Sequence, residues 1–195
     1  MDKEYLDYLS KIQKVVLMLL YLDKSPIKGK TWYQKEIFLI SKLDKQMKEE
    51  LEFEPHNYGP HSYDADDALE NLEEEGLVEV IGNNEIKITE SGEEAAKYLK
   101  NSFSQSDLDF YKEIKLFLND LSRMELLAYI YQTNKDMTTE SVELENVKRK
   151  LVDYSISLYK KKKLSLVKAA EISELKLENF IEELKKRNIS IETGI

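Results

Sequence analysis

Apolar residues recur at helical spacing along most of this chain, and they alternate only in two short adjacent runs. Leu6, Leu9, Ile12, Val15, Val16, Leu19 and Leu20 fall on one helical face and predict a helix over 3–22. Pro26 and Gly29 end it. Thr31 and Gln34 have the spacing of a capping box, which predicts a second helix over 31–48 burying Trp32, Ile37, Phe38 and Ile40. A third helix is predicted over 62–75. Ser62 is its N-cap, Asp64, Asp66 and Asp67 lie in its first turns where the helix dipole favours them, and Gly76 is its stop. The runs 77–81 and 85–89 then alternate about Gly82-Asn83-Asn84, a hairpin pattern. Ser91-Gly92-Glu93-Glu94 reads as a second capping box and opens a fourth helix to about 100.

The polar stretch 101–105 reads as a linker. Beyond it Leu108, Tyr111, Ile114 and Leu118 predict a helix over 106–119. Leu126, Leu127 and Ile130 predict another over 122–135, opened by the box Ser122-Arg123-Met124-Glu125. After a loop at 136–140 comes a long helix over 141–162 ending in Lys160-Lys161-Lys162-Lys163, where cations offset the negative helix end. Two short helices joined by a turn close the chain, and Ala169 and Ala170 let them approach closely. The expected fold class is therefore mainly α with a small β-hairpin. A winged-helix-like N-terminal module spans 1–100, and a helical module spans 106–195, ending in a helix-turn-helix at 165–189.

Charge divides the chain more sharply than hydropathy does. The net charge is −9, yet residues 146–195 hold 12 Lys or Arg against 7 Asp or Glu, which leaves the remainder at −14. A basic tail suits a polyanion or the acidic body of a second copy. There is no cysteine, hence no disulfide framework and no thiolate metal site. The longest apolar run is the eight residues Val15 to Leu22, short of the roughly 20 that cross a bilayer. The start Met1-Asp2-Lys3-Glu4 lacks the basic region of a signal peptide, so a cytoplasmic protein without a membrane span is expected.

The stretch Phe53 to Tyr63 gathers the unusual chemistry. It holds both histidines, His56 and His61, with Pro55, Gly59 and Pro60. Two prolines and a glycine exclude helix and central strand, and Tyr58-Gly59-Pro60 reads as a tight turn. His56 and His61 with Glu54 and Asp64 are chemically suited to zinc, but their spacing matches no zinc motif, so no metal is expected. No Ser/His/Asp spacing stands out. Gly29-Lys30-Thr31 lacks the preceding glycine and strand of a phosphate loop. No cofactor and no enzyme activity are expected.

Two segments carry resemblances. Phe53-Glu54-Pro55, Tyr58-Gly59-Pro60-His61-Ser62, Leu69, Leu72 and Glu75-Gly76-Leu77-Val78, with Tyr33-Gln34-Lys35 and Ile37-Phe38-Leu39 upstream, resemble uncharacterised archaeal and bacterial proteins. Those carry F-x-P-Y-x-Y-G-P-F-S after L-Q-K-x-x-F-L. The pattern is more distantly similar to the Panacea antitoxin domain, and His56 and His61 replace aromatics of it. In the tail, Tyr159, Leu164-Ser165, Lys168-Ala169-Ala170-Glu171, Leu175, Phe180, Leu184, Arg187 and Ile189 resemble a small antitoxin-like helix-turn-helix family. Glu174 stands where that family has its turn glycine, and Lys176 where it has serine. Both resemblances imply a regulatory, toxin-neutralising or DNA-binding role.

The third helix would enter the major groove in an ordinary winged helix, but it carries seven carboxylates and no cation, which repels phosphate. The partner-binding set expected of the N-terminal module is accordingly His56, Tyr58, His61, Tyr63 and Asp67, facing a protein such as a toxin or a second copy in a homodimer. The DNA-binding set expected of the tail is Lys162, Lys163, Lys168, Lys176, Asn179, Lys185, Lys186 and Arg187, with Asn179 suited to a base edge. Glu178, Glu182 and Glu183 share that last helix, so a pure protein-interaction module without nucleic acid stands as the alternative.

Overall fold

A computed structural model describes residues 3–82 and 84–191, so Asn83 of the expected hairpin turn lies outside the described residues. The chain is mainly helical with one two-stranded antiparallel sheet, and it divides into two compact units. Among the described residues no helix is long and apolar enough to cross a membrane.

The first unit comprises 1–54 and 60–120. It contains α1 (Lys3–Asp7), α2 (Lys11–Tyr21), α3 (Lys30–Ser41), α4 (Lys45–Glu50), α5 (Tyr63–Glu74), β1 (Val78–Ile81), β2 (Glu85–Ile88), α6 (Glu90–Leu99) and α7 (Gln105–Asn119). The apolar helix α2 is its centre: Ile12, Val15, Val16, Leu17, Met18, Leu19 and Leu20 are all buried, and α5, α6 and α7 pack around it. Helix α7 packs on α2 and α3, so the unit ends at Asp120, past the polar 101–105 segment where the sequence reading divides the chain. That segment is a 3-10 turn (Lys100–Ser102) followed by Ser104, whose hydroxyl caps α7 at Asp107 N.

Several helix boundaries differ from expectation, each for a local reason. The first helix breaks at Tyr8–Ser10, because Ser10 and Gln13 form a complete capping box that starts α2 anew. The second breaks at Lys42–Asp44, where Asp44 caps α4 through Met47 N. Thr31 caps nothing. Helix α3 starts from Gly29 without a side-chain cap, and Gln34 bonds elsewhere. Thr89 rather than Ser91 caps α6, its hydroxyl accepting from Gly92 N. Gly92 is required there: a Cβ on it would lie 1.9 Å from Leu77 O, at the entrance to β1. Gly76, at φ +69°, turns the chain out of α5 as expected. The β1–β2 register pairs Val78 with Ile88 and Val80 with Ile86. Ile86 in turn exchanges both backbone hydrogen bonds with Ile27, at 3.0 Å each.

The second unit comprises 55–59 and 121–195. It contains α8 (Arg123–Thr133), α9 (Leu144–Arg149), α10 (Leu151–Lys160), α11 (Leu166–Ile172) and α12 (Leu177–Lys186). The capping box of Ser122 and Glu125 forms as the sequence reads it. The long helix expected over 141–162 is instead two, parted at Lys150, whose φ of −120° leaves the helical region. Ile156, Ala169, Ala170, Phe180 and Leu184 form the core joining α10, α11 and α12. Small Ala169 and Ala170, both buried, allow that close approach.

Candidate functional site

In the first unit the site grows from three consecutive polar residues on α3 that are all buried: Gln34, Lys35 and Glu36. Burying them demands partners, because an unsatisfied polar group costs about 1–3 kcal/mol. Gln34 meets Ser62 on both sides. Its Oε1 accepts from Ser62 N at 3.0 Å, its Nε2 donates to Ser62 O at 2.9 Å, and Nε2 also donates to Asp66 Oδ1 at 2.9 Å. Lys35 Nζ donates to Pro60 O at 2.7 Å. The adjacent Tyr33 hydroxyl donates to Ala65 O at 2.5 Å. Helix α3 thus fixes the chain from Pro60 into α5, and Glu54 and His61 close the base of the loop with two backbone bonds of 2.9 and 3.0 Å. Ser62 precedes α5 at the N-cap position, but its hydroxyl makes no cap bond, and among the described residues it has no partner. Burial pushes the Lys35 ammonium down to about 7.

Beneath this clamp lies a second buried group. Lys115 of α7, 1% exposed, donates to Leu19 O at 2.7 Å, Asp23 Oδ1 at 2.6 Å and Ser25 O at 2.5 Å. Burial lowers the Lys115 ammonium and Asp23 partly restores it. Burial raises Asp23, but the bonds from Lys115 and Ser25 outweigh that and hold it low. Glu36 is fully buried, and neither carboxyl oxygen has a hydrogen-bond partner among the described residues. Burial raises it well above the usual carboxylate range, against the pull of Lys115. Sequence reading missed this group. The visible signal is register: Lys115 falls on the same face as Leu108, Tyr111 and Leu118, a cation at a core position.

The expected partner-binding residues are divided between the two units. His61, Tyr63 and Asp67 belong to the first unit, where His61 stacks edge-on against Tyr63 at 4.8 Å and its Nε2 lies 3.4 Å from Asp66 Oδ2. Tyr63 and Asp67 are exposed. Tyr63 lines a cavity of about 420 Å³ with Glu52, Phe53, Glu54 and Asp64, two aromatic faces among three carboxylates. Exposed Asp64, Asp67, Glu70, Glu73 and Glu74 extend the negative surface along α5. His56 and Tyr58 belong to the second unit, in a turn closed by Gly59 N donating to His56 O at 2.9 Å. Asn57 O accepts from Val142 N at 3.1 Å, and the Arg123 guanidinium lies 4.5 Å from the centre of the Tyr58 ring. Among the described residues no three of His, Asp or Glu are grouped to hold a metal ion.

In the second unit the expected DNA-binding residues sort into two sets. Lys162 and Arg187 line one cavity of about 400 Å³ with Tyr159, Lys160, Asn188, Ile189 and Ser190. It lies at the C-terminal ends of α10 and α12, so Lys160 and Lys162 of the run 160–163 meet Arg187 of the run 185–187 there. Lys163 belongs to the first run, and Lys185 and Lys186 to the second. Arg187 is oriented by Asp153 Oδ1 at 2.6 Å and by Glu183 at 3.8 Å, and Lys186 pairs with Glu183 at 2.8 Å. The other set, Lys176 and Asn179, stands exposed at the start of α12, whereas Lys168 on α11 pairs with Glu171 at 2.8 Å. Phe180 and Leu184 turn inward, leaving Glu178, Asn179, Glu182, Lys185 and Lys186 outward, a face of mixed sign.

Against known proteins, residues 135–194 match the sequence model of an Uncharacterised protein family (UPF0175), a span that covers α9 to α12. No curated protein and no solved structure matches the chain.

Proposed function

We propose that this chain is a non-enzymatic regulatory binding protein, antitoxin-like or a transcriptional regulator, acting as a homodimer. In this proposal its C-terminal helix pair contacts double-stranded DNA and its acidic first unit takes a protein partner. The observation that carries the DNA contact is the convergence of Lys160 and Lys162 with Arg187 at one end of the α10–α12 pair. Phosphates are bound by clustered cations, whose counterions are released on contact. In this view α11 and α12 form the helix-turn-helix, with Lys176 and Asn179 at the start of the second helix, where such helices meet bases. The first unit is winged-helix-like. The order α2, α3, α5, hairpin and α6 supports this, as does Ile27 pairing with Ile86 as a third strand position beside the wing. Its α5 occupies the place of a recognition helix but exposes only carboxylates among its charges, so it suits a basic protein surface rather than phosphate.

The test is binding of the full chain to a random duplex pool as salt rises from low to physiological. The expected result is affinity that falls steeply with salt, enrichment of one sequence, and loss of both on Lys176→Glu with Lys185→Glu. Absence of binding at low salt would overturn the DNA contact. It would favour the second reading, a protein-interaction module, to which the outward Glu178 and Glu182 of α12 and the acidic face of α5 also point.

A further inference from the structure

We propose that the cavity at the ends of α10 and α12 is a binding site for a phosphate group, which deepens the DNA reading and rests on it for the source of that phosphate. Every polar side chain lining it can donate a hydrogen bond: Tyr159, Lys160, Lys162, Arg187, Asn188 and Ser190. Among the described residues no carboxylate lines it. Its volume of about 400 Å³ exceeds a phosphate and admits the adjoining sugar, within the usual range of small-molecule sites.

The backbone explains why these donors meet. Helix α10 ends at Lys160 and helix α12 at Lys186, and each is followed closely by a residue in the left-handed region, Lys162 at φ +57° and Asn188 at φ +54°. Each chain reverses there, and the residues of both reversals line the cavity. The Arg187 guanidinium is held in one orientation by Asp153, at 2.6 Å, with Glu183 near its Nε. A fixed planar fork suits phosphate recognition because little side-chain freedom remains to be lost. Two opposing terms are present. Asp153 and Glu183 offset part of the positive charge, and the carbonyl ends of two helices each contribute about half a negative charge. Lysines at a helix end also have a purely local role in offsetting that charge. At the cavity itself Lys160, Lys162 and Arg187 set three positive charges against Asp153 and Glu183.

Titration of the full chain with inorganic phosphate, followed by the ¹⁵N shifts of the Arg187 side chain and the Asn188 and Ser190 amides, tests the site directly. A short duplex gives the second arm. Saturable shifts at those three residues are expected. Lys160→Gln with Lys162→Gln should weaken phosphate about tenfold and reduce the salt slope of duplex binding by about 2, as two lost phosphate contacts require. The single change Lys176→Glu, at the far end of α12, should weaken the duplex and leave phosphate binding unchanged. Duplex binding that ignores Lys160→Gln and Lys162→Gln, with no phosphate shifts, overturns the site while the DNA contact stands. Phosphate shifts without duplex binding uphold the site for a free phosphate ester and remove the DNA contact. Silence in both arms overturns both.

Discussion

The two units place their charged groups in opposite ways. The first draws them inside: Lys35, Glu36 and Lys115 are each at most 2% exposed, and the two lysines bond mainly to backbone. The second keeps most of its pairs at the surface, as in Lys168–Glu171, Lys186–Glu183 and Lys148–Glu145, each within one helical turn. Among the described residues its one deeply placed ion is Glu125. A buried ion with several partners specifies a backbone path, because any other path leaves it unpaired, whereas exposed pairs contribute about 0–1 kcal/mol. The first unit therefore uses charge to hold a loop and the helix after it. The second leaves charge available to a ligand.

Lys115→Met should break that contrast most severely. It leaves the half-buried Asp23 carboxylate and the carbonyls of Leu19 and Ser25 without their donor, an uncompensated loss of about 3–5 kcal/mol. Urea denaturation reads the loss, and adding Asp23→Asn should restore part of it. An unchanged midpoint for Lys115→Met would mean that this lysine does not hold the first unit together.

Glu125→Ala makes the same test in the second unit and should cost less, on the order of 2 kcal/mol once solvent screening of the half-exposed Lys161 is allowed for. Glu125 accepts from Ser157 Oγ at 2.5 Å, Lys161 Nζ at 2.8 Å and Ser122 N at 2.7 Å. Burial raises its carboxyl, but those bonds outweigh burial and bring it down to about 2. A folded value below the unfolded one means that its contribution is complete above about 4.5 and disappears as pH falls toward 2. Acid titration of the wild type should show that loss, and the variant should lack it.

How far the fold was legible follows from the same contrast. Amphipathic stripes, the Gly76 stop and the Ser122–Glu125 box are local signals, and they placed most helices and the hairpin. The break at Ser10 was written in Ser10 and Gln13 but lay under a continuous apolar stripe. Thr31 and Gln34 carried the same local signature, and there tertiary structure won: Gln34 is spent on Ser62, a partner 28 residues away that no local pattern announces. The parting at Lys150 has no sequence signal. In the candidate sites, the cationic runs were visible but their meeting at one cavity was not, since it depends on how α10 and α12 pack. The buried Lys115 was visible only as a violation of register.

Lys35→Met sharpens the account of the first unit through pH. The folded ammonium, near 7, lies below its ordinary value of 10.5, so the unfolded chain binds the extra proton between those values. Stability should therefore rise from pH 7 toward 10, at most by about 1.4 kcal/mol per pH unit from this group. Lys115, also lowered by burial, adds to the same slope, so the variant should flatten the rise rather than abolish it. Chemical denaturation at pH 7, 8 and 9 gives the slope. Identical slopes in wild type and variant would show that Lys35 keeps its proton in the fold.

The smallest expected effect concerns how each unit leaves a helix. After α5 the first unit places Gly76 at φ +69°, where no side chain is strained. After α11 the second places Glu174 at φ +60°, in the same left-handed region, which costs a residue with a side chain about 1 kcal/mol. Glu174 offsets some of that cost through Lys135, whose Nζ lies 2.6 Å from its carboxylate, but both side chains are more than half exposed and the pair contributes little. Glu174→Gly should consequently stabilise the chain by roughly 0.5 kcal/mol, seen as a small rise in Tm. Glu174→Ala separates the two contributions, because it discards the ion pair and keeps the strain. It should be neutral or slightly destabilising. A glycine variant no more stable than the alanine one would place the turn energy of α11–α12 in the Lys135 contact instead of the backbone.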